Sequence, residues 1–335
     1  MVLDLEKIKE ITLGAVRVES KDDGFHFYRF TTAQEELYKN RSEDYYKKSF
    51  STSGVQFSFK TDSETIGLKG AVNGGSSRQY FCFDIFVDGE RIDSIKNFNE
   101  SDLPNNYAGV KLEMGEFEQT VALGSGEKQV CVYFPWSVNA VIEEVSLDDG
   151  AFIEPVKPKF KMLCFGDSIT HGYDALYSSS KYITRLAKFL NAEEYNKAIG
   201  GEIFFPELAK SKEDFVPDCI TVAYGTNDWN RITKEEFTNN CKAFFENLSE
   251  NYPNVKIFAI TPIWRKDYKE ERVFGEFEKV EQIIGNVVKD IPNAVAISGF
   301  DFIEHNEKFY ADLRLHPNDE GFAQYFNSLA SKIAL

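Results

Sequence analysis

Period-two alternation of apolar and polar residues dominates the first half of the chain and then stops. Val55, Phe57 and Phe59 alternate with polar or small residues, as do Phe81, Phe83, Ile85 and Val87, after which Asp88-Gly89 offers a hairpin turn. Val130, Val132 and Phe134 form a third set, stopped by Pro135. Val141 to Leu147 gives a further strand, ended by Asp148-Asp149-Gly150. Short strands between turn signals, without a strong helical pattern, predict a β-sandwich or jelly roll over residues 1–154. Residues 31–48 are a polar exception, read as loop or short helix.

The segment Glu154-Pro155-Val156-Lys157-Pro158-Lys159 is a stiff connector, and the period changes beyond it. Apolar runs at 161–165, 218–223, 255–260 and 293–298 read as strands. Three helical faces lie among and after them: Phe237, Cys241, Phe244 and Leu248; then Phe277, Val280, Ile284 and Val287; then Phe322, Phe326, Leu329 and Ile333. Strand–helix alternation predicts a second, α/β domain over residues 160–335, a parallel sheet wrapped on both faces. Ligands bind such sheets at the carboxyl ends of strands. Gly166-Asp167-Ser168, Gly225-Thr226-Asn227-Asp228 and Thr261-Pro262 all follow strands and are expected on one rim.

Composition narrows the partners. With 335 residues and 42% apolar content, a buried core is available to two domains. A net charge of −16 repels phosphate backbones and anionic lipid, so neither nucleic acid nor membrane is expected as a partner. The five cysteines are widely spaced, with no Cys-x-x-Cys, and three lie in strand-like runs where Cys acts as a small hydrophobe. The amino end lacks the basic start and apolar stretch of a signal peptide, which sets the expectation of a cytoplasmic, reduced protein. Nothing in the sequence speaks to oligomeric state.

The chemistry centres on Ser168. A strand-to-helix turn exposes its oxygen and presents backbone N–H groups where negative charge is favoured. A serine hydroxyl needs a neighbouring base, and His316, just before Pro317 at the start of the final helix, is the best of four histidines. His171 lies three residues after the serine and is expected to point elsewhere; His26 and His305 lie in no motif. Asn227 supplies a side-chain amide and Gly201 an N–H unshielded by a Cβ, both suited to an oxyanion. Taken singly, each of these residues is equally at home in a cap or turn.

Taken together, Gly166-Asp167-Ser168-Ile169-Thr170, Asn196-Lys197-Ala198-Ile199-Gly200-Gly201, Gly225-Thr226-Asn227-Asp228 and His316-Pro317-Asn318-Asp319 resemble, in order, the four blocks of the SGNH or GDSL-type hydrolases. The resemblance covers about residues 160–335 and implies a three-layer α/β sandwich carrying a serine esterase. It implies Ser168 as nucleophile, His316 as base, and Ser168, Gly201 and Asn227 as the oxyanion hole. One departure stands out. The family places Asp three residues before the histidine, whereas position 313 here is Leu and the nearest carboxylate is Asp312, four residues before. Asp312 reaches the ring if the loop carries an extra residue; otherwise a Ser–His dyad remains, its ring held by a backbone carbonyl.

A β-sandwich ahead of such a domain resembles the family 2 carbohydrate esterases and acetylxylan esterases, which implies an O-acetylated saccharide as substrate and an acyl-enzyme. Trp229, Trp264 and Tyr173 are then candidates to stack on sugar, or else domain-interface packing. No cofactor or metal is expected: no histidine pair has metal-ligand spacing, and dinucleotide and P-loop motifs are absent. Two alternatives stay open, a carbohydrate-binding protein with an inactive esterase domain and an acyltransferase on the same fold.

Overall fold

In the computed structural model, which describes residues 1–333, the first half forms two antiparallel sheets. One runs in the order Thr12–Leu13, Gln56–Thr61, Lys128–Tyr133, Cys82–Val87, Glu90–Lys96, with Glu154–Pro155 paired onto Gln56–Thr61. The other runs Arg17–Lys21, Gly24–Tyr28, Val138–Leu147, Thr65–Gly74, Glu116–Ala122. Alternation decides which face is buried. Along Thr65–Gly74, Ile66, Leu68 and Val72 point into the core and their neighbours do not. Phe57 and Phe59 from one sheet meet Phe27 and Ile142 from the other in one core, where Phe27, Phe57 and Phe134 pack edge to face. Each such buried ring contributes about 1.5–3 kcal/mol. Asp88 and Gly89 turn with φ of 49° and 88°, the doubly left-handed geometry of a tight hairpin.

Residues 31–48 are two helices, Thr32–Arg41 and Glu43–Ser49, the first closed by a Thr31–Gln34 capping box. Their polarity hides their packing, because Tyr38 sits on Phe30 and Phe205 and joins the core of the following domain.

That domain is a parallel sheet in the order Ala192–Asn196, Phe160–Gly166, Cys219–Ala223, Lys256–Ile260, Ala294–Ile297. Numbered along the chain this is 2-1-3-4-5, a doubly wound sheet whose switch point lies between the first and third strands. Alternate residues of the central strands face opposite layers. Met162, Cys164 and Cys219 pack under helices Tyr182–Leu190 and Asp319–Ala330. Leu163, Phe165 and Ile220 pack under Lys234–Asn251 and Glu278–Val288. The strand Ala192–Asn196 carries little apolar signal. Its Glu194 is buried because Lys181 (3.1 Å) and Thr184 (2.6 Å) satisfy it, and Asn196 because it donates to the Thr170 carbonyl (2.9 Å).

Arg29 joins the two halves. Its guanidinium is wholly buried and spends its donors on the carbonyls of Ser51 (2.6 Å), Asn196 (2.6 Å), Ala198 (3.1 Å) and Lys48 (3.2 Å) and on the Ser51 hydroxyl (2.8 Å). Burial pulls it down to about 10, which leaves it charged at neutral pH. Beside it, the Lys197 ammonium pairs with Glu213 of its own half (2.9 Å) and reaches Gln34 (3.0 Å) across the seam. Arg29→Met strands these carbonyls in a dry interior. It is expected to lower unfolding free energy by about 3–5 kcal/mol in urea titration, and a loss below about 1 kcal/mol, the scale of surface substitutions, contradicts that reading.

Candidate active site

Strand Phe160–Gly166 ends in Asp167, whose carboxylate accepts the Ile169 N–H at 3.0 Å and caps one turn of helix, Ser168–His171. Ser168 is thereby held at the carboxyl edge of the sheet, 4% exposed. Its Oγ lies 2.9 Å from Nε2 of His316. Nδ1 of His316 lies 2.8 Å from Asp312. With the proton on Nδ1, the three groups form a hydrogen-bonded relay in which Nε2 accepts from the serine.

The spacing that departs from the family pattern has a backbone cause. Leu313 adopts φ of 56°, a left-handed turn that absorbs the extra residue. Oδ1 of Asp312 accepts the N–H groups of Arg314 (2.9 Å), Leu315 (2.7 Å) and His316 (3.0 Å), so the carboxylate closes its own loop while Oδ2 holds the ring. Burial pushes the Asp312 carboxyl up, but the His316 bond and charge and these N–H groups outweigh it and hold it well below the usual carboxylate range.

Two loops bring the candidate oxyanion donors. Gly201 has φ of 86°, a conformation that strains any residue with a Cβ. At Gly200 a Cβ would collide with the Tyr173 ring at 2.3 Å. The loop is pinned from several sides. The Gly200 N–H donates to Nδ1 of His171 (3.1 Å), the Gly200 carbonyl accepts from Lys48 (3.0 Å), and the Gly201 carbonyl accepts from Tyr45 (2.9 Å) and Arg231. Among the described residues, the Ser168 and Gly201 N–H groups have no intramolecular acceptor, which leaves both free for a ligand oxygen. Asn227 starts the helix Thr226–Arg231 and gives one amide hydrogen to the Glu202 carbonyl (3.0 Å), which orients the other.

Sequence reasoning missed three supporting residues. His171 is buried and far from idle: its Nε2–H donates to Ser51 (2.8 Å) and its Nδ1 holds the Gly200 loop. Burial, with the Arg29 charge second, keeps it neutral by pulling it well below the usual imidazole value. Asp174 also lies 3.4 Å from Nδ1 of His316, and Arg78 of the sandwich clamps it. Asp174, Asp312 and His316 bring ligand-type atoms within 4.8 Å of one another. Arg78 bonds the Asp174 carboxylate and Ser168 bonds Nε2 of His316, so these side chains are tied into one hydrogen-bond system.

Two of the proposed sugar platforms point inward. Trp229 is fully buried, donates to the Gly275 carbonyl (2.7 Å) and packs on Phe277 and Arg265. Trp264 is buried between His305 and Tyr310. Both follow rim turns, but large apolar rings beside a turn are buried by the helices around it. Tyr173 is also buried, yet it lies against His316, with ring centroids 5.6 Å apart, and so walls the imidazole. A cleft of about 440 Å³ opens elsewhere, between the sandwich and Tyr182–Leu190, and its walls include none of Ser168, Gly201, Asn227 or His316.

A serine, imidazole and carboxylate in relay at the switch point of a 2-1-3-4-5 sheet define a hydrolase of the acyl-ester class. Residues 164–324 match the model of the GDSL-like Lipase/Acylhydrolase family. A comparison with curated protein sequences returns no match. Among solved structures, the chain is similar to the salicylyl-acyltransferase SsfX3 from a tetracycline biosynthetic pathway, at 20% identity and TM-score 0.79, covering 95% of this chain and 92% of that one. It is also similar to a family two carbohydrate esterase from Clostridium thermocellum, at 16% identity and TM-score 0.67, covering 96% and 98%. An acetyl xylan esterase, Est2A from Butyrivibrio proteoclasticus, aligns at 14% identity and TM-score 0.63 over 99% and 97%. At these identities the likeness shows a shared fold, sandwich included.

Acids flank every block of the site. Burial pushes Asp167 up to about 6, Asp228 and Asp319 to about 7, and Glu202 to about 8. A carboxyl raised in the folded state retains a proton that the unfolded chain releases near pH 4, so stability is lost as pH rises through the folded value. His171 acts in the opposite sense below about pH 6.5, and Lys197, pulled down to about 8 by burial, does so above that pH. In the window from about pH 6.5 to 8 the acids dominate, and the urea midpoint is expected to fall as pH rises. A midpoint that climbs across that window contradicts the burial argument.

Proposed function

We propose that the protein is a serine esterase that removes short acyl groups, acetyl foremost, from O-acylated carbohydrate through an acyl-enzyme. The observation that carries the reading is the unbroken relay from Ser168 through His316 to Asp312, at 2.9 and 2.8 Å. Ser168 attacks the ester carbonyl as Nε2 of His316 takes its proton, and Asp312 stabilises the imidazolium. The N–H groups of Ser168 and Gly201 and the amide of Asn227 receive the oxyanion. His316 returns the proton to the leaving sugar oxygen, and water, activated by the same imidazole, releases the acid.

A short acyl group is supported by the likeness to the acetyl xylan esterase Est2A over nearly the whole chain. The saccharide is supported by the sandwich-plus-hydrolase likeness to the clostridial and Butyrivibrio esterases over nearly the whole chain. A second reading, acyl transfer to an alcohol other than water, is supported by the likeness to the salicylyl-acyltransferase at TM-score 0.79. Product analysis with and without an added sugar acceptor separates the two.

Ser168→Ala is expected to abolish hydrolysis of p-nitrophenyl acetate with no change in thermal midpoint, and undiminished turnover eliminates the mechanism. Asp312→Asn is expected to lower kcat/KM far less than His316→Ala. The Asn side chain keeps its backbone contacts, and Asp174 still faces Nδ1 at 3.4 Å. Equal losses on steady-state assay show instead that Asp312 is indispensable to the base.

A further inference from the structure

The loop after the serine helix carries an unusual residue. Asp174 has φ of 71°, left-handed for a residue with a Cβ, and its side chain is 0% exposed. The sandwich supplies what holds it there. Arg78 bridges the carboxylate in a fork, Nε to Oδ1 at 2.5 Å and Nη2 to Oδ2 at 2.9 Å. The Tyr80 hydroxyl donates to Oδ1 at 2.7 Å, and the Tyr107 hydroxyl donates to the Asp174 backbone carbonyl at 2.7 Å. Oδ2 then lies 3.4 Å from Nδ1 of His316. The Arg78 guanidinium also lies 5.1 Å from the centre of the Tyr173 ring, the ring that walls the imidazole. Burial opposes the charge on Arg78, but the Asp174 hydrogen bonds and charge outweigh it and hold the guanidinium protonated.

Two carboxylates therefore flank one imidazole nitrogen. Left alone, a second buried carboxylate at this distance would favour the imidazolium, which cannot accept the serine proton. We propose that Arg78 of the sandwich is a positioning residue for the reaction: it fixes Asp174 against His316 and cancels its charge, so that the imidazole stays neutral and competent as a base. This rests on the esterase reading of the site. The other groups at the ring are Asp312 from its own loop, Ser168 and Asp167 from the serine turn, and the Tyr173 ring, while the Tyr80 and Tyr107 hydroxyls bond Asp174. Arg231 and Arg265 act on Asp167, and Arg231 also bonds the Gly201 carbonyl. Arg78 is thus the cation paired to the second carboxylate.

The test uses the full chain. Arg78→Met leaves Asp174 unpaired and is expected to move the acid limb of the kcat/KM–pH profile upward by roughly one pH unit, the scale of a close opposite charge. At a pH one unit below the wild-type midpoint, the rate falls about tenfold. Asp174→Asn leaves Arg78 unpaired, keeps the shape, and moves the limb the other way. Arg78→Lys keeps the charge and is expected to restore the wild-type midpoint. A strut that merely joins domains lowers the thermal midpoint in these variants and moves no limb, and folded Arg78→Met and Asp174→Asn proteins with an unshifted limb overturn the proposal. Should Arg78→Met fail to fold, the isosteric Asp174→Asn decides alone by the sign of its shift.

NMR titration of the His316 ring C–H resonance reads the same shift without turnover. If the wild type hydrolyses no ester yet this resonance still moves in Arg78→Met, the esterase reading falls and the electrostatic coupling stands. Turnover with a stationary resonance does the reverse.

Discussion

A single buried cation determines how this molecule is put together. Arg29 leaves the end of strand Gly24–Tyr28 and reaches the carbonyls of Asn196 and Ala198, just upstream of Gly200-Gly201. A guanidinium in a dry interior is costly unless its donors are matched, and here the matching groups come from both halves of the chain. The loop that presents the Gly201 N–H therefore has its shape set by the sandwich. Lys48, Tyr45 and the Ser51–His171 pair extend the same seam to Gly200 and Gly201. The sandwich is thereby a structural component of the catalytic edge. Separation of the two parts would strip Arg29 of the Asn196 and Ala198 carbonyls and the Lys197–Glu213 pair of Gln34.

The catalytic edge itself is assembled by topology. In a 2-1-3-4-5 sheet the chain reverses direction between the first and third strands, and the loops after them splay apart. Ser168 follows the first strand, Gly201 the second and Asn227 the third, so three loops from distant stretches converge. His316 comes from beyond the last strand, on a loop that Asp312 closes with its own carboxylate. Precision there is maintained by backbone hydrogen bonds rather than by packing alone, which suits a base that must stay within reach of one hydroxyl. The cost is a set of buried acids beside each loop and two non-glycine residues, Asp174 and Leu313, in left-handed conformations.

Much of this was legible in the sequence where one physical rule acts alone. Helical spacing located Phe237, Cys241, Phe244 and Leu248 on one face because burial of that face outweighs every competing preference. Alternation located the sandwich strands for the same reason. The rule fails where polar groups are buried in pairs. Strand Ala192–Asn196 is absent from the apolar runs and residues 31–48 read as loop or short helix, yet Glu194 is buried against Lys181 and Gln34 against Glu213 and Lys197. At the site, the motif residues were legible and their supports were not. A leucine gives no sign that it will adopt positive φ, so the reach of Asp312 was open. An arginine in a loop normally reads as solvated, so Arg78 was invisible. Trp229 and Trp264 were placed on the correct turns, but the direction of a ring depends on neighbours from other elements.

The central claim is that one hydroxyl, one imidazole and three hydrogen donors from separate loops form a working centre. A crystal structure of the protein after reaction with a diethyl fluorophosphate tests it directly, since the adduct mimics the tetrahedral intermediate. The account predicts a covalent bond to Oγ of Ser168, with the phosphoryl oxygen within about 2.7–3.1 Å of the Ser168 and Gly201 nitrogens and the Asn227 amide. An adduct on another residue, or a phosphoryl oxygen turned away from those donors, contradicts it.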